Sequence, residues 1–283
     1  MIRISDTRAS IIVPFYRGQS ILANTLASIA RQDFPHQSLE VVIAHDGSDD
    51  DVTHMSREIL GDIPLRQVWI SRRGYRLATA RNAGIRCASS ASIILIDFDI
   101  VVSETFVTAH MLHQKSTHQS VTFGLRRFVD LSKVGPEQIR TGAINFNALQ
   151  EVASISNRLR SVDSRLQEVR LLPQHPYPCN LCHGCNLGFS RQLAIDVGLF
   201  DEAFNGNSNY EDIEFAHRMR RAGAKMVYVP EATVYHQEND IVDYQTRRRG
   251  MTANLSKLYD RVPGLQDFRE RFKEQQRWRM MRS

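Results

Sequence analysis

Four short apolar runs rich in β-branched residues, at residues 10–13, 39–44, 67–70 and 92–96, punctuate the first hundred positions of this chain. Each is continuous rather than alternating, the signature of a strand covered on both faces, as in a parallel sheet between two layers of helices. Between the runs, residues 20–31, 50–60 and 76–88 repeat apolar positions at helical spacing. This alternation predicts a doubly wound α/β domain with a mostly parallel, Rossmann-like central sheet. Ligands of such a sheet meet the loops at the carboxyl ends of the strands, here residues 14–18, 45–51, 71–75 and 97–99.

Past residue 130 the pattern turns polar and helical until Pro173, Pro176 and Pro178 close it, which predicts a helical insertion over residues 130–178. Strands at residues 186–190 and 225–229 and a helix at 211–222 follow, then a helical tail. The expected organisation is one domain over residues 1–239 and a basic helical extension over residues 240–283.

Composition narrows the class. With 283 residues, 42% of them hydrophobic, the chain can bury a sizeable core. No run approaches the ~18 apolar residues of a membrane span, and the nearest, residues 92–102, is broken by Asp97 and Asp99. The first ten residues lack the apolar centre of a secretory signal, so a cytoplasmic address with reduced thiols is expected. The net charge of +5 is concentrated: from Tyr244 onward eleven Lys and Arg face four Asp and Glu. A solvated helical face, rather than a nucleic-acid site, accounts for that excess, and it leaves self-association and peripheral membrane contact open.

Three loops carry candidate chemistry. In His45-Asp46-Gly47-Ser48-Asp49-Asp50 the Asp46 carboxylate can accept from a ring N–H or a ribose hydroxyl, Gly47 supplies a tight turn, and Ser48 or Asp49 caps the next helix. Asp97-Phe98-Asp99 ends an apolar run, and period-two geometry would send both carboxylates to one side, where they can hold a divalent cation gripping a diphosphate. Glu211 and Asp212 open a helix whose Ile213, Phe215, Ala216 and Met219 face the core. Each has a plain structural alternative: a capped turn, a solvated turn, and carboxylates favoured by a helix dipole. His236, after an irregular stretch at residues 230–235, reads as structural when taken alone. Cys179, Cys182 and Cys185 offer one knuckle of a zinc site without a second, so buried thiols are the expected reading.

Taken in order, the Pro14 loop, Asp46-Gly47-Ser48, Arg81-Asn82-Ala83-Gly84, Asp97-Phe98-Asp99, Gly184-Cys185-Asn186-Leu187-Gly188-Phe189-Ser190, Gly198-Leu199-Phe200-Asp201-Glu202, Glu211-Asp212 and His236 resemble the family 2 glycosyltransferases of the GT-A fold. The resemblance runs over residues 10–238 and is nearest to chondroitin-polymerase-type domains. The later half is similar to the C-terminal region of β-galactosyltransferases and polypeptide N-acetylgalactosaminyltransferases. It implies a metal-dependent, inverting transfer from a UDP-sugar donor to an acceptor hydroxyl of a glycan, glycolipid or natural product. By the same resemblance Pro14 and Asp46 line the uridine pocket, Arg81 lies near the donor, and Asp97 touches ribose or metal. Asp99 and His236 bind Mn²⁺ (or Mg²⁺), and Asp212, with Glu211 beside it, activates the acceptor. An imidazole among oxygen ligands suits Mn²⁺.

Two departures stand out. Galactosyltransferase-type relatives carry tryptophans and glycines ahead of the acidic pair, where this chain has Asn205-Gly206-Asn207-Ser208-Asn209-Tyr210, so the acceptor is not implied. The tail adds Arg247-Arg248-Arg249, a cluster that could close over a diphosphate. A sugar-phosphate nucleotidyltransferase is the rival enzyme class, disfavoured because Pro14-Phe15-Tyr16-Arg17-Gly18 is poor in glycine. A nucleotide-sugar-binding protein without turnover is the other rival.

Overall fold

The computed structural model describes residues 8–71, 73–115, 119–153, 162–207, 209–237 and 244–280, with the side chains of residues 115, 244–249, 273 and 275–280 left aside. Strand β1 (Ala9–Phe15) is buried along its whole length, as its continuous apolar run requires. Helix α1 (Gln19–Ile29) leads to β2 (Leu39–Asp46), equally buried, and α2 (Thr53–Leu60) leads to β3 (Leu65–Ile70), an edge strand that leaves Trp69 exposed. Helix α3 (Leu77–Cys87) precedes β4 (Ser92–Ile96). A short β5 (Ile100–Val102), α4 (Phe106–Lys115), β6 (Ser120–Phe123) and β7 (Arg126–Val129) follow. After α5 (Pro136–Arg140) and α6 (Leu166–Val169) come β8 (Asn186–Ser190), α7 (Arg191–Asp196) and α8 (Glu211–Arg221). Strands β9 (Lys225–Tyr228) and β10 (Val234–Gln237) and helices α9 (Tyr244–Arg261) and α10 (Leu265–Met280) complete the order.

The main sheet runs β3-β2-β1-β4-β8-β6-β9, with β1 to β4 mutually parallel and β8 reversed between β4 and β6. Helices α1, α2 and α4 cover one face through Leu22, Leu26, Leu60 and Phe106 against Ile11, Val13 and Ile94. Helices α3, α7 and α8 cover the other through Ile85, Leu193, Phe215 and Met219 against Ile12, Val42 and Ile93. The expected α/β architecture with a mostly parallel central sheet is thus present.

Three local expectations need correction. Helix α2 begins at Thr53, not residue 50: Ser48 and Asp50 turn back to accept from Arg17 N (3.1 Å) and Gly18 N (3.2 Å), and Asp51 accepts from Thr53 N instead. Residues 230–235 are not a plain loop, because a second sheet, β5-β10-β7, takes up Val234–Gln237. Among the described residues, the segment 130–178 holds only short helices, α5 and α6, plus 3-10 turns at Phe146–Ala148 and Leu172–Gln174. Besides the backbone bonds of these turns, Arg127 donates to the carbonyls of Phe146, Asn147 and Leu149. Helices α9 and α10 bury Leu258, Val262 and Leu265 against Phe204, Tyr210 and Ile213. Among the described residues no helix is long and apolar enough to cross a membrane.

Candidate active site

At the carboxyl end of β1, Pro14 lies past the last residue pair with β4, Ile12 with Leu95. The chain then turns through Arg17 and Gly18, both left-handed at φ 55° and 97°. The hydrogen bonds from these two residues to Ser48 and Asp50 lash the β1 loop to the β2 loop. Between the loops, Asp46 Oδ2 accepts from Arg76 N at 2.8 Å. Its Oδ1 is buried without a hydrogen-bond partner, and burial pushes the carboxyl up from its ordinary value. A buried acceptor of this kind is costly unless a ligand donates to it.

The two aspartates of the Asp97-Phe98-Asp99 turn part company. The strand stops at Ile96, and Ile100 N closes a tight turn on Asp97 O at 3.1 Å, so period-two geometry no longer applies. Asp97 Oδ1 accepts from Arg81 Nη2 at 2.9 Å, whereas Asp99 Oδ2 lies 3.6 Å from His236 Nε2. Strand pairing sets this second contact: His236 of β10 is registered with Ile100 of β5, and Gln237 N donates to Asp99 O at 2.9 Å. Asp99 and His236 are both buried. Among the described residues no group of three or more His, Cys, Asp or Glu could hold a metal. Asp99 and His236 bring together one carboxylate and one imidazole, donor types that divalent ions such as Mn²⁺ accept.

Arg81 of α3 sits at the centre. Its guanidinium, 2% exposed, bonds Asp97 on one side and Glu211 Oε1 (2.7 Å, from Nη1) on the other, with its carbon 5.4 Å above the Phe200 ring. Burial works against its charge, but Asp97 and Glu211 outweigh it and raise the guanidinium's pKa above its usual value. Gly184 makes this fit: a Cβ there would lie 2.5 Å from the guanidinium carbon. Burial and the neighbouring Asp212 push the Glu211 carboxyl up to about 7, against the pull of Arg81. Asp212 turns the other way, its Oδ2 accepting from Gly184 N and its Oδ1 from Ile213 N, both at 2.8 Å. Consecutive residues at a helix start diverge by roughly 100°, which is why one acid is sequestered and the other stays at the partly open helix end.

Two residues mattered more than the sequence suggested. Asn82, noted only as part of a motif, brackets Phe200 with two bonds, to its O at 2.9 Å and from its N at 2.8 Å, and so seats the 198–202 turn on α3. Arg81 joins the two acidic motifs instead of standing alone beside the donor loops. The three thiols on either side of Gly184 in the chain are buried. Cys182 Sγ meets Met226 Sδ at 3.4 Å, and burial pushes Cys179 up to about 12 and Cys185 up to about 11, leaving them neutral. The side chains of Arg247, Arg248 and Arg249 lie outside the described residues.

Residues 10–198 match the model of the family described as glycosyl transferase family 2. The chain belongs to that family. It is 28% identical over 264 residues to the chondroitin synthase of Escherichia coli, covering 90% of this chain and 38% of that protein. The family 2 chain thus spans well under half the length of that relative. Its fold is similar to the mannosyltransferase PcManGT from Pyrobaculum calidifontis, solved in complex with GDP-Man and Mn²⁺, with TM-score 0.62 and 18% identity over 89% of this chain and 63% of that one. GalNAc-T7 with UDP, GalNAc and Mn²⁺ superposes with TM-score 0.61 and 17% identity, over 89% of this chain and 50% of that one. This family 2 glycosyltransferase therefore has the fold of enzymes solved with nucleotide-diphosphate ligands and Mn²⁺.

Proposed function

We propose that this glycosyltransferase moves a sugar from a UDP-sugar to an acceptor hydroxyl with inversion at the anomeric carbon, using a divalent metal. The observation that supports this most is the division of acids around Arg81: Asp99 pairs with His236, Asp97 and Glu211 pair with the guanidinium, and Asp212 opens a helix with its oxygens on the N–H groups of Gly184 and Ile213. The lashed loops holding Pro14 and Asp46 would receive the nucleoside, whose ring N–H or ribose hydroxyl satisfies the buried Asp46 Oδ1. The motif order favours UDP; of the two solved neighbours GalNAc-T7 holds UDP and PcManGT holds GDP-Man. Asp99 and His236 would hold Mn²⁺ or Mg²⁺, which when bound supplies positive charge to the departing diphosphate.

Asp212 accepts the acceptor's proton as the acceptor oxygen bonds the anomeric carbon, and the bonding pair of the old C–O bond leaves with UDP. Glu211, locked to Arg81, orients its neighbour rather than taking that proton. Arg81 fixes Asp97 as well, so one cation sets the distance between the turn that carries Asp99 and the helix that carries Asp212. The acceptor is a glycan, glycolipid or natural product bearing a free hydroxyl. Calorimetric titration of UDP in Mn²⁺ and again in EDTA tests the reading: binding is expected in the first and lost in the second, and weakened Mn²⁺ dependence is expected of His236→Ala. Equal affinity with and without metal defeats it.

A further inference from the structure

The basic tail reaches the acidic pair through one buried side chain. Asn254 of α9 is fully buried, and its Nδ2 donates to the carbonyls of Phe204 (3.0 Å), Asn207 (3.3 Å) and Asn209 (3.1 Å). An amide group has two hydrogens to donate, so three carbonyls share them only while all three converge on one point. The loop so gathered is unusual: Asn209 and Tyr210 are left-handed at φ 69° and 78° although neither is glycine. Such residues persist where their surroundings over-determine them.

Those surroundings are visible on both sides. From α9, the Gly250 backbone comes so close that a Cβ would lie 3.2 Å from Asn207 Cβ, Lys257 Nζ donates to Ala203 O, and Arg261 pairs with Asp201. From the α3 side, Tyr75 O accepts from Gly206 N and Thr79 Oγ1 accepts from Asn205 Nδ2, each at 2.7 Å. Helix α10 adds Arg269, whose guanidinium lies 5.3 Å over the Tyr210 ring. Tyr210 is the N-cap of α8, and Glu211 and Asp212 are its first two residues. Wherever the left-handed step ends, the carboxylates begin.

We propose that Asn254 is a positioning residue. By holding the carbonyls of Phe204, Asn207 and Asn209 it fixes the step at 209–210 and thereby aims Asp212 at the acceptor oxygen. The tail is then part of the acceptor side of the site, although it lies beyond the span matched by the family model. The proposal rests on the reading of Asp212 as the base.

Asn254→Asp tests it, because Asp keeps the shape, removes both hydrogens and sets oxygen against the carbonyls. Water serves as the acceptor: release of UDP from UDP-glucose, UDP-galactose and UDP-N-acetylglucosamine is followed in Mn²⁺, together with hydrogen exchange of residues 204–214. The expected result is faster exchange confined to that segment and a kcat lower by roughly 10- to 100-fold, as small misplacement of a reacting group produces. KM for the donor and UDP affinity should stay within about twofold of the parent protein, since among the described residues Pro14 and Asp46 make no hydrogen bond to the clamped loop. Asn254→Ser, which keeps one hydrogen on a shorter arm, should fall between, and it serves if the Asp variant does not fold. Unchanged kcat, unchanged exchange over 204–214, or a KM that rises as kcat falls overturns the proposal. Should the unaltered protein bind no UDP and release none from any donor, the transferase reading fails instead, and loop exchange in the variants still decides whether Asn254 clamps the loop.

Discussion

Asp46 and Asp212 each accept a backbone N–H at 2.8 Å, yet two different kinds of structure put them there. Asp46 ends β2, in the middle of parallel strands whose Ile and Val residues would build the same sheet whatever the loops did. Asp212 follows a left-handed loop, opens a helix, and is placed by groups remote in sequence: Gly184, Arg81 through Glu211, and the helices of the tail. The first half of the molecule is a scaffold that happens to carry acids at its strand ends. In the second half, the polar contacts themselves are the scaffold. Substitutions there should change activity or stability through single bonds, while equivalent changes at the strand ends should be milder.

Asp212→Asn tests the contrast most severely. Transfer should drop by roughly 10²–10⁴-fold, as loss of a general base does, while UDP affinity holds and stability falls by only about 1–3 kcal/mol, because Asn keeps one acceptor for the N–H groups of Gly184 and Ile213 and leaves the other unmet. A variant that unfolds as readily as it loses turnover would mean that Asp212 is a cap first. Removing the shared cation by Arg81→Met strands Asp97 and Glu211, buried or half-buried, without a counter-charge. Denaturant unfolding should show a loss of about 3–5 kcal/mol. Asp46→Asn, which leaves an acceptor for Arg76 N and removes a desolvated charge, should cost under about 1 kcal/mol by the same measurement. Equal losses at the two positions would erase the distinction drawn here.

Gly184→Ala is the finer probe. Its Cβ would meet the Arg81 guanidinium at 2.5 Å, and overpacking of this kind costs on the order of 1–3 kcal/mol. The last test is electrostatic. The Glu211 carboxyl is raised in the folded protein, from 4.5 to about 7, so its contribution to stability is full at low pH and is lost as pH rises through that interval. Subtracting the melting curve of Glu211→Gln from that of the parent across pH 4 to 8 should leave a decline over this window. A difference that rises with pH would show that Arg81 holds Glu211 ionised throughout.

Legibility in the sequence follows the same divide. Strands β1, β2 and β4 could be read because each carries a continuous apolar run ending at a polar turn, whereas β3, with Arg66 and Gln67 on a half-exposed edge, is marked only by its Val-Trp-Ile end and is not covered on both faces. Strands β7 and β10 are four residues long and mix Arg, His and Gln with apolar residues, and β5 is three apolar residues, so none is long enough for a periodicity to mark it. That is why His236 could be singled out only by resemblance, and why its place beside Asp99 became explicable only once β10 was seen to pair with β5. The Asp97-Phe98-Asp99 turn misled because strand alternation was carried past Ile96, where the strand stops. Arg81 and Glu211 gave no sign of their pairing, since contacts across 130 positions leave no local trace. Asn254 looked like one more polar residue on a polar helix.

The cysteines offer a practical handle. Three of the four are buried, and Cys87, half-buried at the end of α3, is the thiol most open to solvent. A maleimide dye added under native conditions should therefore couple to Cys87 far faster than to the others. The label would ride on the helix that carries Arg81 without touching that guanidinium, and its fluorescence could follow the seating of a nucleotide in real time with no engineered tag.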